Sequence, residues 1–194
     1  MDKLDDKALD LIFREARTVS RWQDRAVSRE TLEALWDLAR MGPTSANCSP
    51  MRVTFVVSDA AKARLEPLLM SANVEQTMAA PVVSILAYDT KFYEHLPRLF
   101  MEEAVACFTS SAEVAQETAF RNATLQGAYF ILGARSLGLD CGPMSGFNRG
   151  GVDKEFFDGT GFESNFLVNL GYGDRTGLDP RAYRFAFDEA CEVV

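Results

Sequence analysis

Histidine is almost missing from this chain: His95 is the single one among 194 residues. The four cysteines (Cys48, Cys107, Cys141 and Cys191) are scattered, with no C-x-x-C pair, so a zinc site has no ligand set to draw on. They could in principle form two disulfides. The N-terminus, MDKLDDKALDLIF, lacks the basic start and apolar centre of a secretory signal, so free thiols in a reducing cytoplasm are expected. Positive charge is also short. Against 28 Asp and Glu stand 20 Lys and Arg, a net charge of −8, which argues against a nucleic-acid partner. An anionic ligand would then need arginine concentrated locally. No stretch approaches the roughly 18 consecutive apolar residues of a membrane span. Repeats, low-complexity tracts and linkers are lacking too, and 47% apolar residues suffice for a core, so residues 1–194 read as one domain.

What is there reads as alternating helices and strands. Leu4, Ala8, Leu11 and Ile12 recur at helical spacing, predicting an amphipathic helix over 3–16. Ser28 is a plausible N-cap for a second helix with Leu32, Leu35, Trp36 and Ala39 on one face, stopping at Gly42-Pro43. Strands are expected at 53–57, 81–89 and 164–173, and short helices around 60–69 and in VDKEFF (152–157). Residues 91–111 show no clean period and read as a loop-rich, lid-like segment. From 112 to 137 the chain lacks proline, and its centre, AYFIL (128–132), is apolar on every side. A helix apolar all round must be buried all round, which in so small a chain implies a second subunit. Gly138 would cap it. The charged tail after residue 173 is expected to wrap the surface or a partner. The order is mixed α+β, without the β-α-β-α beat of a doubly wound sheet. Gly171-Tyr-Gly173 follows a strand, but the third glycine of a dinucleotide fingerprint falls on Thr176, so that fold is excluded.

Several polar clusters stand out. Arg17-Thr18-x-Ser20-Arg21-Trp22 follows the first helix, and an arginine fork matches a phosphate bidentately. Pro43-Thr44-Ser45-Ala46-Asn47-Cys48-Ser49-Pro50 is a turn rich in short donors. Cys48 within it reads as a packing residue, since no His or Lys lies beside it in sequence to activate it. Gly142-Pro143-Met144-Ser145-Gly146-Phe147 offers glycines that permit close backbone approach. Asn73 and Gln76 form an N-x-x-Q pair before the second strand, and Arg181 and Arg184 sit in the tail.

Taken in this order, these segments resemble the FMN-dependent nitroreductase family over nearly the whole chain. The resemblance is nearest to its malonic semialdehyde reductase branch, associated with uracil breakdown, through GPTSANCSP, ETAFRN, GPMSGF and GYGD. It implies a three-layer α+β fold, a central mostly antiparallel sheet flanked by helices, with a long buried dimer-interface helix. It implies a homodimer acting on a small-molecule substrate, with FMN as cofactor and NADPH or NADH as co-substrate in a ping-pong exchange. Arg17, Thr18, Arg181 and Arg184 would meet the FMN phosphate, with Arg184 favoured by spacing. Asn73 and Gln76 would face the ribityl and pyrimidine parts, and Pro143, Met144, Ser145 and Gly146 the isoalloxazine. Pro43, Thr44, Ser45 and Asn47 would reach the flavin of the neighbouring subunit. The implied reaction is reduction of 3-oxopropanoate to 3-hydroxypropanoate, with Arg52, Arg98 and Arg121 as candidates for the substrate carboxylate and Tyr93, Thr109 or Ser110 for a proton donor. A broad NAD(P)H nitro- or quinone reductase of the same fold, and a flavin-binding module without catalysis, are the alternative readings.

Ser20, with Arg21 beside it, and Gln76 stand where the family often has basic residues near flavin N1 and C2=O. Less positive charge there lowers the flavin potential and makes a stronger hydride donor. Ser20→Lys is therefore expected to raise the potential of bound FMN, measured by spectroelectrochemical titration against wild type; an unchanged value contradicts it.

Overall fold

The computed structural model describes residues 3–194. Helix α1, Asp6–Leu9, is capped by Asp5, whose carboxylate accepts the Ala8 N–H at 2.8 Å, and it runs into a single π turn, Asp10–Arg14. It is shorter than the expected 3–16, and Leu4, Leu11 and Phe13 remain exposed. Helix α2, Arg29–Ala39, starts at Ser28, whose hydroxyl accepts from the Thr31 N–H, and it buries Leu32, Leu35 and Ala39. Strand β1, Met51–Val56, begins two residues before the expected start. Helix α3, Asp59–Leu65, passes through a short 3-10 turn into α4, Ser71–Ala79, and then strand β2, Val82–Asp89.

The lid-like loop expected at 91–111 is instead short helical turns: a 3-10 turn at Phe92–His95, α5 at Leu96–Leu99, a 3-10 turn at Glu102–Ala104 and α6 at Val105–Thr109. Their brevity hides any helical period. Helix α7, Ala112–Ser136, follows with 25 residues, about 37 Å of rise. Strand β3, Asp140–Met144, occupies what reads in sequence as a turn. Proline is tolerated there because β3 is the edge strand of the sheet, with β4 as its one strand neighbour and an isolated bridge to Thr18 at Cys141, two residues before Pro143. Helix α8, Arg149–Phe156, strand β4, Phe162–Gly171, and a largely irregular tail with α9, Phe187–Ala190, complete the chain.

The four strands form one antiparallel sheet in the order β1-β2-β4-β3. All eight residues of β2 are buried because both of its faces are covered. Val82, Leu86 and Tyr88 face a core shared with α2 and α7. Val83, Ile85 and Ala87 face the other, with Leu65 of α3 and Val152 of α8. This is the expected three-layer arrangement.

Small residues let α7 lie close to its neighbours. A Cβ on Gly127 would come within 2.6 Å of the Phe166 ring, and one on Gly133 within 3.2 Å of Leu35. Burial of α7 is one-sided: Phe130 is fully buried, but Val114, Phe120, Leu125 and Tyr129 stay exposed. The expectation of burial all round is thus not met within one chain, although Phe120 reaches the Tyr88 ring edge-on.

A polar knot around the buried Tyr88 ties β2 to β4, α7 and α8. The Tyr88 hydroxyl donates to Glu163 at 2.5 Å and accepts from Gln116 at 2.8 Å and Arg149 at 3.2 Å. Burial first, and then Glu163, raise the Tyr88 pKa above its ordinary value. The folded state therefore keeps this proton longer than the unfolded chain, so its contribution is complete below pH ~10 and is lost as pH rises through the folded value. Tyr88→Phe should cost about 0.5–1.5 kcal/mol at neutral pH, since Gln116 and Arg149 are exposed and water can replace the lost hydroxyl, and should reduce the alkaline loss of stability; urea denaturation at pH 7 and above pH 10 checks both.

Candidate cofactor site

Residues 16–22 run alongside the sheet edge at β3. Thr18 makes a parallel bridge with Cys141, and the Val19 N–H donates to the Cys141 carbonyl at 3.4 Å. Gly142 makes room for this strap, since a Cβ there would sit 3.0 Å from the Val19 carbonyl oxygen. Trp22 bridges Gly173, and its indole N–H donates to the Gln76 carbonyl at 3.1 Å. Here α4 meets the end of β3. The Asn73 amide donates to the Gly146 carbonyl at 3.0 Å, and Gln76 donates to Asn73 at 2.9 Å. The Thr77 hydroxyl lies 3.3 Å from the Met144 sulfur. A Cβ on Gly146 would fall 2.3 Å from the Asn73 amide nitrogen, so the approach of α4 requires glycine. Segments 17–22, 73–76 and 143–146, distant in sequence, are thereby brought together.

The tail returns to the same place. Arg17 donates to the Asp179 carbonyl at 2.5 Å, and Arg181 donates to the Arg14 and Ala16 carbonyls at 2.6 and 2.9 Å. Among the described residues neither arginine has a carboxylate partner, so most of each guanidinium fork is uncommitted. Arg184, favoured by spacing, donates only to the adjacent Ala182 and Tyr183 carbonyls. Sequence reading missed Arg175, which pairs with Asp140 at 2.6 Å, while the same carboxylate accepts the Gly173 N–H at 3.1 Å. This fixes where the tail leaves β4. Nothing local in the sequence signals it, because the partners are 35 residues apart.

The Pro43–Pro50 turn lies elsewhere. It leads into β1 at the opposite sheet edge, three strand spacings or roughly 14 Å away from β3. Ala46, Asn47 and Ser49 all have positive φ (50°, 49° and 39°), a conformation that costs non-glycine residues. Two buried amides of α7 hold it: Asn122 accepts the Ser45 N–H at 2.8 Å and Gln126 the Met51 N–H at 3.0 Å. The Thr44 hydroxyl accepts the Ser49 N–H at 3.1 Å, and the Asn47 amide donates to the Leu99 carbonyl at 2.8 Å. No hydrogen bond among the described residues joins this turn to the β3 group.

Beside the turn is a cleft of about 1390 Å³ whose lining includes Trp36, Asn47, Ser49, Phe55, His95 and Arg98. Under one wall Asp89, 6% exposed, binds Arg52 at 2.6 Å and His95 Nε2 at 3.2 Å, a pairing that sequence reading also missed. Of the proposed proton donors, Thr109 and Ser110 spend their hydroxyls on their own helix, on the Val105 and Cys107 carbonyls. Tyr93 packs edge-on against Phe92.

Fold and site residues together define a protein of the nitroreductase type. The chain belongs to the nitroreductase family: the model described as "Nitroreductase family" matches residues 13–172. A Burkholderia lata protein, provisionally named as an NADH dehydrogenase/NAD(P)H nitroreductase, is 54% identical over 194 residues, covering 100% of both chains. The fold is similar to that of a nitroreductase family protein from Streptococcus pneumoniae TIGR4 (TM-score 0.85, 23% identity, 96% of this chain and 99% of that one). It is also similar to a provisionally assigned nitroreductase from Exiguobacterium sibiricum 255-15, solved in complex with FMN (TM-score 0.84, 17% identity, 100% of each chain).

The cysteines divide by burial. Burial pushes the Cys48 thiol to about 11 and the Cys141 thiol to about 12, whereas Cys107 and Cys191 are exposed. The thiolate is the reactive form. Iodoacetamide at pH 8 should therefore modify Cys107 and Cys191 in the native protein and all four cysteines only after denaturation, as read by intact mass; rapid native labelling of Cys48 contradicts this placement.

Proposed function

We propose that this chain is an FMN-dependent NAD(P)H oxidoreductase, acting as a homodimer, whose acceptor is the small aldehyde acid 3-oxopropanoate (malonic semialdehyde). The observation that carries the cofactor is the arginine pair. In an acidic protein, Arg17 donates to the Asp179 carbonyl and Arg181 to the Arg14 and Ala16 carbonyls where the tail crosses the strap, and among the described residues neither pairs with a carboxylate, which suits a dianionic phosphate. The remaining donors fit the rest of FMN. Thr18, Ser20 and Arg21 continue from the phosphate end, Asn73 and Gln76 offer amides, and Pro143, Met144, Ser145 and Gly146 offer backbone. Arg184 is three residues along the same tail and completes the phosphate end.

The partner subunit supplies what one chain cannot bring. Pro43, Thr44, Ser45 and Asn47 lie at the wrong edge of the sheet to serve their own Arg17 site. The exposed Val114, Phe120, Leu125 and Tyr129 of α7 and Tyr183, Phe185 and Phe187 of the tail are the surface a second copy would cover. Closed twofold symmetry then gives two equivalent sites.

Bound FMN would supply a carrier that takes a hydride from the nicotinamide and returns it to an acceptor. In balance, NAD(P)H, one proton and 3-oxopropanoate become NAD(P)+ and 3-hydroxypropanoate. The chain's residues hold the phosphate, fix the amide contacts and cover the site from across the dimer; water serves as proton source. The name of the Burkholderia lata relative favours a second reading, a broader NAD(P)H nitro- or quinone reductase using the same site. The four free thiols suit a reducing compartment such as the cytoplasm.

The purified protein should be a yellow dimer with one FMN per chain, bleached by NADPH without oxygen. Arg17→Ala should weaken FMN binding by about tenfold to a hundredfold, as loss of a charge-assisted hydrogen bond implies. Values of kcat/KM for 3-oxopropanoate, a nitroaromatic and a quinone choose the acceptor. Bound FMN that NADPH does not bleach would mark a flavin-binding module, and a monomer that keeps FMN would refute the shared site.

A further inference from the structure

The proposed acceptor carries a carboxylate, and this inference, which rests on that reading, concerns the cation that meets it. Arg121 pairs with Glu117 one turn away on the exposed face of α7. Arg52 is spent as well. One of its nitrogens binds Asp89 at 2.6 Å, another binds the Ser49 and Met51 carbonyls at 3.1 and 3.0 Å, and the guanidinium packs over the Phe162 ring. Two further cations line the same cleft, and both are paired: Arg29 with Glu33 at 2.7 Å and Arg40 with Asp37 at 3.0 Å. Arg98 also lines it, and among the described residues it has no carboxylate partner.

Arg98 is also held in relation to the flavin-facing turn. Its neighbour Leu99 accepts the Asn47 amide through its carbonyl, which ties α5 to that turn. One helical turn earlier stands His95, anchored through Nε2 to the buried Asp89 carboxylate. Asp89 also binds Arg52, which reaches back to the Ser49 carbonyl. The wall is thus a rigid relay from the turn to α5, with Phe162, Leu99 and Trp36 as its apolar surroundings.

We infer that Arg98, on the wall braced by His95, Asp89 and Arg52, binds the carboxylate of the acceptor and makes this enzyme select small oxo acids. An arginine that makes charge-assisted hydrogen bonds to a carboxylate, replaced by alanine, loses about tenfold to a hundredfold in affinity.

The test uses the FMN-loaded dimer and acceptors that differ in charge alone: 3-oxopropanoate against its methyl ester, and 4-nitrobenzoate against its methyl ester. In Arg98→Ala the acid-to-ester ratio of kcat/KM should fall about tenfold or more, through KM, with partial recovery in Arg98→Lys. Arg121→Ala should keep the wild-type ratio. An unchanged ratio in Arg98→Ala, or the fall in Arg121→Ala instead, overturns the inference. If 3-oxopropanoate is not reduced, the proposed acceptor fails while the nitrobenzoate pair still judges Arg98. If no acceptor is reduced, calorimetry with 3-hydroxypropanoate decides: binding lost in Arg98→Ala supports the inference, and equal or absent binding in both proteins overturns it.

Discussion

Two buried amides on one helix, Asn122 and Gln126 of α7, hold the backbone of the segment that enters β1. They take the N–H groups of Ser45 and Met51, which the irregular turn leaves without backbone partners. Leaving either N–H unsatisfied would cost about 1–3 kcal/mol, as much as the strain in any one of the three left-handed residues between them. The turn therefore keeps its shape only while α7 is seated. Seating α7 depends in turn on Gly127 and Gly133, which admit Phe166 and Leu35. Core packing and the polar turn are a single cooperative arrangement, and the Asn47–Leu99 bond carries its geometry on to α5 and the cleft wall.

The opposite edge of the sheet is organised by different means. There the strap at residues 16–22 and the tail are held to β3 mainly by backbone bonds and by Asp140, which takes both the Gly173 N–H and Arg175. Arg17 and Arg181 are placed by donating to carbonyls instead of carboxylates. That leaves their charge uncompensated, which fits them to receive an anion. On the cleft side the reverse holds, since Arg29, Arg40 and Arg52 are each neutralised by an acid. An acidic protein thus confines its free positive charge to a few places.

Much of this was legible before any coordinates. Helix α2 announced itself through Ser28 and its apolar face, β2 through the largely apolar run PVVSILAYD, and α7 through length and the absence of proline. The motifs around Arg17, Thr44, Asn73 and Ser145 came in the family's order. The structure gathers three of those four groups at one sheet edge. Strand β3 was hidden because Gly142 and Pro143 imitate a turn, and only its edge position makes proline acceptable. The turns at 92–109 are too short to show a period. The ties of Arg181 to residues 14–16 are set by the path of the tail and not by local pattern. The Asp140–Arg175 pair was illegible because it depends on where distant elements come to rest, and the Asp89–His95 pair, six positions apart, because the irregular turn between β2 and α5 shows no period that would place the ring.

The lashings of the tail also bear on how the molecule is made. Arg17 meets Asp179 across 162 positions, and Arg181 meets Ala16 and Arg14 across 165 and 167. A cradle closed by contacts of such span cannot form around a partly synthesised chain, because its far side does not yet exist. The sheet and α7 can assemble on the ribosome as they emerge, but the strap and the tail join only once residues 179–181 have cleared the exit tunnel. The strap and the tail are therefore joined only after the sheet between them has been made.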